Sequence, residues 1–126
     1  MSRMLLATTV LAAGALAVGA GTASAERPDR VRVAGSCNGP STAKLKLSEE
    51  DGRIEVEYEV DQNRNGVRWN VVLRRRGVVV ARGTRRTTAP SGSFEFRRLL
   101  ADRPGTDTVT ATATRRGETC RATARL

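Results

Sequence analysis

The sequence predicts an all-β protein in which seven short antiparallel strands form a two-layer sandwich. After residue 25, apolar and polar residues alternate with a period of two through almost the whole chain, as in strands that bury one face. Each alternating run is short and is bounded by Gly, Pro, Asp or Asn, which favour turns. No long stretch has helical periodicity. The regular spacing of short strands and turns therefore favours a sandwich.

The first 25 residues have the organisation of a secretory signal peptide. Arg3 supplies a positive charge, Met4 to Ala20 is almost entirely apolar, and Ala23 and Ala25 are the small residues that a signal peptidase reads. An uncleaved membrane anchor is the alternative, because the apolar run is close to the length of a spanning helix. The glycines in the run and the polar residues after Ala25 favour cleavage. We therefore expect a secreted, extracellular protein without a transmembrane anchor.

Cleavage after residue 25 would leave 101 residues, which is the size of one domain. We divide this chain into an N-terminal segment, 26–36, and a sandwich domain, 37–126. Its two cysteines, Cys37 and Cys120, are expected to form a disulfide in an oxidising compartment. The chain contains no histidine, so two thiols cannot complete a zinc site from nitrogen and sulfur ligands.

The first hairpin places basic residues opposite acidic ones. With Leu47 opposite Ile54, Lys46 faces Glu55 across the hairpin. A solvated strand face therefore explains the glutamates of strand 53–60 better than a metal site or an acid–base site does. A shorter strand at 31–34 is expected to add to one edge. The seven principal strands are predicted at 43–48, 53–60, 67–75, 78–84, 93–98, 107–114 and 119–126.

Two features resemble immunoglobulin-like sandwiches. Trp69 points inward on the third strand, and residues 104–111 look like the start of the penultimate strand in bacterial immunoglobulin-like modules, although Asp107 stands where those modules have an aromatic residue. The chain from 37 to 126 also resembles small secreted proteins of GC-rich actinobacteria with no assigned activity. The resemblance implies the fold and almost nothing about function.

Alternating strand directions bring Cys37, Cys120 and three loops, 61–66, 85–92 and 115–118, to one end of the sandwich. Arginine groups bind phosphate and carboxylate in a bidentate manner, so we expect this end to dock an anionic cell-wall polymer or a protein partner. Arginines that only keep the surface solvated, and codon bias in a GC-rich genome, are the alternatives. The predicted binding residues are Arg64, Arg85, Arg86, Arg115 and Arg116.

Other functions have less support. Without histidine or a free cysteine, the sequence predicts no catalytic residue, no cofactor and no enzymatic activity. Residues 61–66 match the opening of a calcium loop, but Val72 stands where the motif needs a glutamate, so we predict no metal. Nucleic acid is not favoured because the aromatic residues occupy core positions. Two alternatives remain: a small-molecule carrier resembling the enediyne-binding apoproteins, and a secreted protease inhibitor that uses loop 85–92.

Overall fold

A computed structural model describes residues 29–126, together with Gly14. Apart from Gly14, the predicted signal peptide, with its cleavage residues Ala23 and Ala25, lies outside the described residues. The described chain is all-β and forms two antiparallel sheets that pack as a sandwich. Nine strands are present in it, two more than the seven principal strands predicted: β1 Arg30–Ala34, β2 Ser36–Cys37, β3 Thr42–Glu50, β4 Arg53–Asp61, β5 Arg68–Arg75, β6 Val78–Arg86, β7 Ser93–Ala101, β8 Thr108–Arg115 and β9 Glu118–Arg125.

The first sheet has the order β1-β3-β4-β7 and the second has the order β2-β9-β8-β5-β6. The chain changes sheets between β1 and β2, at Gly35. A Cβ atom at Gly35 would lie 2.9 Å from the carbonyl oxygen of Arg121, so only glycine allows this close crossing. The crossing closes one side of the sandwich. Strands β6 and β7 form the edges of the two sheets on the other side.

The predicted register of the first hairpin is wrong by two residues. Leu47 pairs with Val56 rather than with Ile54, and Lys46 pairs with Glu57. The turn consists of Asp51 and Gly52 alone, both with positive φ, so β3 continues to Glu50 instead of ending at 48, while β4 begins at Arg53 as predicted. Because the shift is an even number, every side chain stays on its expected face.

Large side chains from both sheets fill the space between them. Trp69 of β5 is fully buried and packs on Phe94 of β7, with ring centroids 6.0 Å apart. Tyr58 and Phe96 are also fully buried, and burial raises the pKa of Tyr58. The hydroxyl group of Tyr58 lies near the backbone of Ala113 but forms no hydrogen bond of ordinary geometry within residues 29–126. The aromatic residues therefore occupy the core, as predicted.

The predicted disulfide is present. Cys37 and Cys120 are directly opposite each other in β2 and β9, with Cα atoms 4.1 Å apart. Such direct opposition in an antiparallel pair is where Cα atoms come closest. Cys120 is fully buried, so the disulfide fixes the short strand β2 against the edge of the second sheet.

Asp107, which stands where immunoglobulin-like modules have an aromatic residue, forms a buried ion pair. Its carboxylate is completely buried and lies 3.0 Å from Nε of Arg75, which is 5% exposed. Arg75 also donates a hydrogen bond to the carbonyl oxygen of Ala101. This buried ion pair joins the end of β5 to the segment before β8.

Candidate binding surface

The loops predicted to share one end of the sandwich do so. The amide of Gln62 donates to the carbonyl of Gly92 (3.0 Å), and the amide of Asn38 donates to the carbonyl of Thr119 (3.1 Å). The first bond joins loops 61–66 and 85–92, and the second joins Asn38, next to Cys37, to the start of the strand that follows loop 115–118. We name this region the Cys37 end. Arg64 and Arg116 are exposed in its loops.

Arg115 is held by the protein itself. Its Nη2 lies 3.0 Å from Oε1 of Glu118, and its Cζ lies 5.5 Å from the centroid of the Trp69 ring. Glu118 is buried and also accepts hydrogen bonds from the amide (3.0 Å) and hydroxyl (2.7 Å) of Ser41. Burial raises the pKa of Glu118, but the bonds from Ser41 and Arg115 outweigh it and bring the pKa below its ordinary value. Arg115 thus stabilises a buried carboxylate and has few donors left for a ligand.

The loop position predicted for Arg85 and Arg86 is wrong. Strand β6 continues to Arg86, which pairs with Arg68 at the start of β5. Adjacent residues of a strand point to opposite faces. Arg85 therefore points between the sheets, where its Cζ lies 4.7 Å from the centroid of Phe96. Arg86 lies on the outer face of the second sheet.

That outer face carries a set of arginines that sequence reasoning missed. Cross-strand register places the outward-pointing polar residues of β5, β6, β8 and β9 on it, in rows that run across the strands. Thr110 and Thr123, for example, face each other with their hydroxyl oxygens 3.0 Å apart. We name this surface the arginine face. Its basic residues are Arg68, Arg74, Arg82, Arg86, Arg121 and Arg125, and its threonines are Thr84, Thr108, Thr110, Thr112, Thr114, Thr119 and Thr123.

The charges of the two sheets differ strongly. Strands of the second sheet carry nine arginines and one acid, Glu118, which is buried. Strands of the first sheet carry seven basic and seven acidic residues, and several of them pair. Lys46 lies 2.9 Å from Glu57, and hydrogen bonding from Arg97 lowers the pKa of Glu55. The strands therefore show a charge asymmetry between the two sheets. Loop positions predicted a different asymmetry, between the two ends of the sandwich.

The arginines of the arginine face are not neutralised by the chain. Within residues 29–126, none of the six forms an ion pair with a carboxylate. A groove of about 500 Å³ on this face is lined by residues of β5, β6 and β8. Its lining residues include Asn70, Val72, Arg82, Thr84 and Thr114. Guanidinium groups and hydroxyls are donors for phosphate and carboxylate oxygens, so the face is chemically suited to anions.

At two possible cation sites, the candidate ligand atoms already bond to other groups of the protein. The sulfur atoms of Cys37 and Cys120 lie within 4.8 Å of the Glu118 carboxylate, but both sulfurs belong to the disulfide and the carboxylate bonds to Ser41 and Arg115. In the calcium-like segment, Oδ1 of Asp61 accepts the amide of Asn63 at 3.0 Å. This segment is a polar turn.

Comparison with known proteins adds no relative. No family model matches the chain, and it matches neither a curated protein nor a solved structure. In the part of the chain that the structure describes, no helix is long and apolar enough to cross a membrane.

Proposed function

We propose that this protein is a secreted, non-catalytic module that binds an anionic polymer of the cell envelope through the arginine face. The observation that carries the proposal is the concentration of six arginines on one sheet face that contains no carboxylate in the described chain. Charges that are not satisfied within a protein create an attractive potential for ligands of the opposite sign.

The extent of the face favours a polymer over a small anion. The arginines lie on β9, β5 and β6, and β8, which lies between β9 and β5, contributes threonines. Neighbouring strands are about 4.8 Å apart. A single exposed ion pair contributes only about 0–1 kcal/mol. A small anion would meet one or two of these arginines, whereas a chain with repeated negative charges meets several at once. Repetition therefore provides the affinity that one pair lacks.

The sheet order supports the proposed immunoglobulin-like fold, and the disulfide supports the proposed extracellular location. Strands β3, β4 and β7 oppose β6, β5, β8 and β9, an order that supports an immunoglobulin-like sandwich whose fourth principal strand has joined the second sheet. The disulfide between Cys37 and Cys120 supports an oxidising compartment. The disulfide therefore supports the proposed export of the domain.

The two alternative functions have less support from the structure. A carrier needs room between the sheets, where Trp69, Tyr58 and Phe96 are fully buried. An inhibitory loop needs an extended exposed segment, but the amide of Gly92 bonds to the carbonyl of Thr88 (2.9 Å) and makes this segment a tight turn. We therefore favour polymer binding.

The test measures retention of the protein on immobilised poly(glycerol phosphate) as a function of salt concentration. Wild-type protein should be retained at low salt, with the logarithm of affinity falling linearly against the logarithm of salt. Replacement of Arg82 and Arg121 by serine removes one arginine from β6 and one from β9, at the two ends of a single cross-strand row. This variant should reduce the magnitude of that slope by about two, which is about one for each charge removed.

A matched control removes the same charge from the other sheet. Arg30 and Arg32 are exposed on β1, and their replacement by serine should leave the slope nearly unchanged. A third variant, Arg64→Ser with Arg116→Ser, tests the Cys37 end. An equal reduction of the salt slope in all three variants would mean that net charge alone drives retention. A reduction confined to the third variant would assign binding to the Cys37 end instead.

A further inference from the structure

The open side of the sandwich has an unpaired strand edge. Strands β6 and β7 are each nine residues long and are the last strands of their sheets on this side. Within residues 29–126 no further strand pairs with either of them. An edge strand of this length presents a row of backbone donors and acceptors that another chain can pair with.

Two arginines meet at one aromatic ring in this opening. The Cζ atoms of Arg85 from β6 and Arg98 from β7 lie 4.7 Å and 4.2 Å from the centroid of Phe96. Gly83 makes room for the ring, since a Cβ atom there would lie 2.5 Å from Cε2 of Phe96. The ring thus holds two like charges close together by cation–π attraction.

Neither arginine is neutralised by an acid. In the described part of the chain, Arg85 and Arg98 form no ion pair, and each donates a single side-chain hydrogen bond, to the carbonyl of Thr84 (2.9 Å) and of Arg97 (2.8 Å) respectively. A guanidinium group has five N–H donors. Most donors of both groups are therefore free to bind a carboxylate placed between the two edges.

The two edges differ in charge. Strand β6 contains Arg82, Arg85 and Arg86 and no acidic residue. Strand β7 contains Glu95, and its Arg97 is engaged by three glutamates, Glu55, Glu57 and Glu95. Exposed apolar surface also lies on β6, where Val78 is 65% exposed. The β6 edge is accordingly the better acceptor for an acidic strand.

We propose that the β6 edge binds an extended acidic segment of a partner protein by strand addition. Backbone hydrogen bonds supply the pairing, as in other cases of strand addition. Carboxylates on one face of the added strand reach Arg85 and Arg98, and those on its other face reach Arg82 and Arg86. This site shares Arg82 and Arg86 with the arginine face but goes beyond polymer binding, because it also uses Arg85, Arg98 and the backbone edge of β6.

The test uses a labelled nine-residue peptide of alternating Glu and Thr, and binding is measured by fluorescence polarisation. Two further peptides have the same sequence but carry N-methyl groups at odd or at even positions. Only one set of amides faces the edge in an added strand, so one methylated peptide should lose binding and the other should keep it. Equal binding of both methylated peptides, or no binding of the parent peptide, would overturn strand addition.

Protein variants test the role of the two arginines. Arg85→Gln with Arg98→Gln should weaken binding of the parent peptide at least tenfold, whereas Arg30→Gln with Arg32→Gln, which removes the same charge elsewhere, should not. Retention of the first variant on poly(glycerol phosphate) should remain, which separates this site from the arginine face. If peptide affinity is unchanged and the variant instead self-associates, the arginines only protect the edge from aggregation and the proposal fails. The methylated peptides test the wild-type protein and do not depend on variant folding.

Discussion

Loss of the Cys37–Cys120 disulfide is expected to lower the free energy of unfolding by about 4.5 kcal/mol. The bridge joins residues 83 positions apart, and the chain-entropy model at 25 °C gives about 4.5 kcal/mol for a loop of this length. Single domains unfold with about 5–15 kcal/mol in total. The bridge is therefore expected to supply a large share of the stability, and the protein without it should be close to its limit of folding.

The measurement compares urea unfolding of the wild-type protein with that of a Cys37→Ala, Cys120→Ala variant. Alanine is preferred to serine because Cys120 is fully buried and a hydroxyl there would need a partner. Trp69, the single tryptophan, is fully buried, so its fluorescence reports unfolding. A reducing agent should destabilise the wild-type protein and leave the variant unaffected. A difference below about 1 kcal/mol between the two proteins would refute the loop-entropy reasoning.

Three other perturbations test the buried polar groups. Arg75→Met or Asp107→Leu alone should destabilise the protein by about 3–5 kcal/mol in urea unfolding, because each leaves an unpaired buried charge, while the double variant should lose much less than the sum. The pKa of Glu118 is lowered in the folded protein, so its contribution to stability is present above its ordinary pKa and is lost as the pH falls through the lowered pKa. Glu118→Gln should flatten this decrease of thermal stability at acid pH. At neutral pH the same variant should lower the free energy of unfolding by about 1–3 kcal/mol. Tyr58→Phe should leave the urea midpoint unchanged or raise it, because the Tyr58 hydroxyl forms no hydrogen bond of ordinary geometry within residues 29–126, and in the wild-type protein tyrosinate absorbance should rise only as the fold is lost at alkaline pH.

Strand identity was predictable because the alternation of residues is local. Val109, Ala111 and Ala113 are completely buried and alternate with threonines, as expected of a strand with one core face. Strand ends were less predictable, since they depend on the partner strand. Arg86 belongs to β6 because Arg68 pairs with it, and nothing in the residues around Arg86 indicates that partner.

The sequence does contain a signal for the buried pair of Arg75 and Asp107. Alternation from Leu73 places Arg75 on the core-facing side of β5, and alternation from Val109 does the same for Asp107. Opposite charges at inward positions indicate pairing, because an unpaired buried charge is too costly. Which inward charges meet still depends on the pairing of β5 with β8, where Arg75 faces Val109.

The arginine face was not predictable from hairpins alone. Arg82 and Arg121 are far apart in sequence, and they share a face because β6, β5, β8 and β9 are neighbours in that order. Two of these contacts, β5 with β6 and β8 with β9, are hairpins, but the contact of β5 with β8 joins distant segments. Loop positions therefore predicted charge at the Cys37 end, whereas the sheet topology shows a charge difference between the two sheets.

The most direct test of polymer binding is an NMR titration of the isotopically labelled protein with poly(glycerol phosphate). Binding at the arginine face predicts that the largest amide shift changes occur on β5, β6, β8 and β9 at outward positions such as Arg82, Thr112 and Arg121. The amides of the first sheet should change little. Shift changes centred on Arg64 and Arg116, or spread evenly over both sheets, would contradict the assignment of the arginine face as the binding surface.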